Sequence, residues 1–72
     1  MTTYKNIIEG PRWARSDKFI KELCFIHEVE YKIDRDVGLF KETVYFKIWG
    51  DNNDVNIVRR KILEAVKDYN NK

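Results

Sequence analysis

"KETVYFKIWGDNNDVNIVRRKILEAV", residues 41–66, decides the fold. An alternating apolar run ends at Gly50, small acidic and amide residues follow, and the apolar period then lengthens from two to about three and a half. That change of period reads as strand, cap and helix. Asp51 or Asn53 supplies the cap, and Asp54 sits near the positive end of the helix dipole. At 100° per residue, Val55, Val58, Ile62, Ala65, Val66 and Tyr69 share one stripe. Ile57 points away from it.

Working backwards, "FIHEVEYKI" (25–33) alternates apolar and polar with His27 as the exception. It reads as a strand over 24–33, joined through the turn "DRDVG" (34–38) to a second strand over 39–49. Centring the turn near Asp36 and Val37 places Ile33 opposite Phe40, Val29 opposite Val44, His27 opposite Phe46 and Phe25 opposite Ile48. The apolar sets then coincide beneath the C-terminal helix, expected over 53–69. Residues 4–8 read as a short first strand, and "EGPR" (9–12) as a turn. Residues 13–22 fit either a backward extension of the strand or a short helix capped by Ser16; the helix, over 16–22, is preferred.

The expectation is one α+β domain spanning 1–72, with two layers. An antiparallel hairpin or three-stranded sheet is packed on one face by the C-terminal helix. Seventy-two residues bury a thin core, which ten aromatic side chains help to fill. A single cysteine, Cys24, rules out an intrachain disulfide and favours a reducing cytoplasm. "MTTYKNIIEGPRW" does not read as a signal peptide, and the longest apolar run, Leu23 to Ile26, is far too short for a bilayer. A net charge of +2 selects no class of partner by itself.

Catalysis and metal binding find little support. Cys24 and His27 stand on opposite faces of a strand, and one Cys with one His falls short of a zinc site. "DRDVG" and "DNND" lack the glycine and glutamate of a calcium loop. The three isolated glycines build no phosphate loop. No enzyme, cofactor or metal is expected.

The sheet face turned away from the helix carries what remains. Lys32, Lys41 and Lys47 interleave there with Tyr45, Trp49 and Ile26, and Arg12, Trp13 and Arg15 extend the patch. Rings among lysines suit stacked bases and phosphates, so the leading expectation is a non-catalytic module that binds nucleic acid. Glu28 and Glu30 lie on the same face, which equally fits an ordinary solvated surface. The alternative is a protein-interaction module, adaptor or inhibitor, with homodimerisation included. It rests on exposed Ile57, on Ile26 and Trp49, and on a free edge at 39–49. Size and simplicity suit an accessory protein.

Overall fold

The structure, a computed structural model, describes residues 1–70, with the side chains of residues 13, 69 and 70 outside the description. The order of elements is β1 (Thr2–Pro11), a 3-10 turn (Arg12–Ala14), α1 (Ser16–Ile26), β2 (Glu30–Val37), β3 (Lys41–Gly50) and α2 (Asn52–Asn70). The sheet has the order β1-β3-β2, with β3 antiparallel to both neighbours. Both helices lie on one face. The α+β expectation, three strands with the C-terminal helix across them, is therefore correct.

The core joins Ile20, Leu23 and Cys24 of α1 to Val44, Phe46 and Ile48 of β3 and to Val55, Val58 and Ile62 of α2. Val29 closes it between α1 and β2, and Tyr4, Ile8, Ile33 and Val66 pack around it. Asp51 caps α2 as expected: its carboxylate accepts the Asn53 N–H at 2.9 Å. Tyr69, expected on the same stripe, falls outside the described side chains.

Residues 9–11, expected in a turn, instead continue β1 to Pro11, and the chain bends only at Arg12–Ala14. Two further expectations fail, for one physical reason. Residues 24–26, assigned to a strand, are the last turn of α1. The helix ends in a Schellman arrangement: the Val29 N–H donates to the Cys24 carbonyl at 2.9 Å and the Glu28 N–H to the Phe25 carbonyl at 3.4 Å. That geometry puts Glu28 in the left-handed region at φ 56°, a place normally held by glycine. No glycine marks the stop, so the helix end was invisible in the residue pattern. Ile20, Leu23 and Cys24 recur at i, i+3 and i+4, which is helical spacing, but the apolar run Leu23 to Ile26 leads straight into the alternation that follows and masks the boundary.

With α1 taking those residues, β2 begins only at Glu30 and "DRD" lies in the strand, not in a turn. The observed register sets Ile33 opposite Phe46 and Lys32 opposite Lys47, six positions from the expected offset. The chain reverses later, where the Gly38 N–H donates to the Lys41 carbonyl at 2.8 Å. An edge strand tolerates the charges of Asp34, Arg35 and Asp36, because half its surroundings are water. An offset of six is even, so every residue of β2 and β3 keeps its assigned face. The wrong pairing thus led to the right side of the sheet.

Candidate functional site: the open face of the sheet

The odd-numbered residues of β3 point away from both helices, and the register of the two neighbours builds rows around them. Thr3, Trp49 and Glu30 form the first row, Lys5, Lys47 and Lys32 the second, and Ile7, Tyr45 and Asp34 the third. Glu9, Thr43 and Asp36 follow. The second row sets three ammonium groups side by side across three strands, and all three lysines are exposed. Neighbouring strands run about 4.8 Å apart, so the stems start within one side-chain length of each other. Directly opposed like charges destabilise a sheet. Among the described residues, no carboxylate lies within ion-pair distance of any of the three.

Aromatic surface flanks the lysine row. Tyr45 is 46% exposed, and Ile7 beside it 54%. Trp49 is partly buried against the sheet, with the Lys47 ammonium 5.3 Å from its ring centroid. That contact covers part of the indole, leaving Tyr45 as the freer platform. A shallow depression of about 510 Å³ runs along the face, lined by Lys5, Ile7, Lys32, Asp34, Tyr45 and Lys47. Acids lie to either side of the lysine band: Glu30 in the row before, Asp34, Glu9 and Asp36 in the rows after.

Some expected members are elsewhere. Ile26 ends α1 and is exposed beside Phe25, away from the sheet face. Lys41 does share the face, opposite Pro11, but stands six residues from Lys47, roughly 20 Å along the strand. Arg12 continues the β1 ladder at that far end, its N–H donating to the Phe40 carbonyl at 3.0 Å. Arg15 holds a left-handed backbone at the start of α1, with its Nε 3.9 Å from Asp17. Arg12 and Arg15 therefore do not extend the lysine row. The Trp13 side chain lies outside the description. For the protein-interaction alternative, Ile57 is partly exposed as expected, but residues 39–49 offer no free edge: β3 is the central strand.

Lys5 and Ile7 were missed because β1 was given no register. The alternation of Lys5, Ile7 and Glu9 against Tyr4 and Ile8 was the available signal. Glu42 was missed too. It is the even-numbered member of β3 that breaks the inward apolar set, and it is 1% exposed. Its carboxylate accepts the Arg35 Nε at 2.5 Å and the Ser16 backbone N–H at 3.2 Å. Arg35 also donates to the Arg12 carbonyl at 3.1 Å and lies 3.7 Å from Asp17. This cluster ties β2, β3 and the start of α1 together. An inward acid implies such a partner.

The chemistry of Cys24 and His27 is plain. Burial pushes the Cys24 thiol up to about 11, the opposite of what a nucleophile needs. His27 caps α1, with its Nε2 3.2 Å from Lys61 Nζ, and is not the inward strand residue expected opposite Phe46. Among the described residues, no three metal-ligating side chains cluster, and no helix is long and apolar enough to cross a membrane. Comparison with protein-family models, curated proteins and solved structures found no significant match to this chain.

Proposed function

We propose that this protein is a non-catalytic module that binds single-stranded nucleic acid on the open face of its sheet. The observation that carries the reading is the row Lys5–Lys47–Lys32, which has no ion-pair partner among the described residues and is crossed at right angles by the Tyr45–Lys47–Trp49 line of β3. A fold gains nothing from three adjacent like charges, whereas a phosphate chain over them relieves the repulsion and releases counterions. Tyr45 and Trp49 are four residues apart, roughly 13 Å, with Lys47 midway between them. That spacing seats two separate bases with backbone phosphate over the lysines. A flat open sheet suits splayed bases, which a paired helix does not present.

The acids beside the lysine band restrict the favourable region to its centre, so affinity is modest and strongly salt-dependent. The lone, buried Cys24 supports a reducing cytoplasmic setting. Anisotropy titrations with labelled single-stranded DNA, single-stranded RNA and duplexes test the reading. Wild-type protein should prefer single strands at low salt, and Tyr45→Ala should weaken binding by roughly 1 to 3 kcal/mol. Equal binding of a duplex, or indifference to Tyr45→Ala, would reject the stacking assignment. The protein-interaction reading has its own support, but at the β1 edge.

A further inference from the structure

The two sheet edges are not alike. On β2, five of eight residues are charged (Glu30, Lys32, Asp34, Arg35 and Asp36), the usual guard against unwanted strand pairing. On β1, only Lys5 and Glu9 are charged, two positions either side of Ile7. The Arg12 N–H donates to the Phe40 carbonyl, which fixes the hydrogen-bonding phase of the β1–β3 ladder. Even-numbered residues of β1 bond inward to β3, so Lys5, Ile7 and Glu9 turn their N–H and C=O groups outward. Consistent with this, the Ile7 N–H donates at 2.8 Å to the side-chain oxygen of Asn6, not to another strand.

We propose that β1 is a homodimer interface, pairing antiparallel with β1 of a second copy about a two-fold axis at Ile7. In this register Ile7 meets Ile7, and Lys5 of each copy lies opposite Glu9 of the other. Both are exposed, and neither has an ion-pair partner among the described residues. The outward groups of Lys5, Ile7 and Glu9 close three hydrogen-bonded pairs, the Ile7 N–H exchanging the Asn6 side-chain oxygen for the Ile7 carbonyl of the second copy. Thr3 would next meet Pro11, which has no N–H, and the ladder ends there.

The helix layer fits the same operation. A groove of about 460 Å³ runs outside β1, lined by Asn6, Ile7, Ile8, Ile62, Leu63 and Val66, with Leu63 42% exposed. Because α2 lies over β1 and β3, joining two sheets at β1 brings the two α2 axes about 10 Å apart, at packing distance. Leu63 of one copy then covers the groove of the other. The result is a six-stranded sheet. Lys32 and Lys47 of both copies stay open, and the proposal does not rest on the nucleic-acid reading.

Sedimentation velocity over a concentration series tests it on the full chain. The wild type should shift reversibly from 8.7 kDa to twice that mass. Lys5→Glu or Glu9→Lys alone places like charges opposite each other twice and should weaken self-association on the order of tenfold. The double variant K5E/E9K, and an equimolar mixture of the two single variants, should restore it. A wild type that stays monomeric at every concentration overturns the proposal. So does a dimer that ignores the single reversals, or single variants that the mixture does not rescue.

Discussion

Replacing Glu42 with alanine strands the Arg35 guanidinium and the Ser16 N–H at once, because both donate to that carboxylate. Removing one partner of a buried ion pair costs roughly 3 to 5 kcal/mol. Arg35 is about a quarter exposed and has Asp17 within 3.7 Å, so the lower end applies, about 3 kcal/mol. A chain of 72 residues has roughly 4 to 11 kcal/mol to lose. Glu42→Ala should therefore lower Tm by roughly 10 to 25 °C, read by far-UV circular dichroism, with the urea midpoint falling in step. Glu42→Gln keeps the shape and one acceptor and should lose about half as much. In a double-mutant cycle, Arg35→Ala should cost little once Glu42 is gone. If Glu42→Ala unfolds within about 0.5 kcal/mol of wild type, the carboxylate is a surface group and the reasoning is wrong.

The left-handed Glu28 yields a change in the other direction: Glu28→Gly should stabilise the fold by about 0.5 to 1 kcal/mol in urea melts, and a loss would contradict the helix end described. Cys24, its thiol held up at about 11 against an ordinary 9.0, should react with a disulfide reagent at pH 8 far more slowly in native protein than in urea. Stability linked to that thiol is flat below about pH 9 and falls between about 9 and about 11, since the unfolded chain there releases the proton first. Cys24→Ala should flatten that part of the pH profile. Ile48→Ala, in a fully buried position of the central strand, should cost roughly 2 to 5 kcal/mol, while Leu39→Asn at the exposed hairpin tip should change stability by less than about 0.5.

The helix α2 and the faces of β3 were legible because period and parity are local properties of consecutive residues. The α1 boundary was not, since its end depends on Glu28 adopting a backbone that glutamate rarely takes. Register was not legible either. Several offsets bring Val29, Ile33, Val44 and Phe46 onto one side, and the choice falls to the Arg35–Glu42 pair and the length taken by α1. Parity, not offset, decides which side of a sheet a residue occupies. Lys32, Tyr45, Lys47 and Trp49 were found on that basis, while Lys5 and Ile7 needed the third strand to be placed.

Lysines neutralising phosphates on a single strand imply that log K falls against log salt with a slope of about −2 where all three of the row engage, or about −1.4 where Lys5 is taken up at the β1 edge. Titrating one labelled single-stranded oligonucleotide over a range of salt, with wild type and Lys47→Ala, measures it. The slope for the variant should be shallower by a little under one. A slope near zero, or one that Lys47→Ala leaves unchanged, would mean that the lysine row does not hold a phosphate chain.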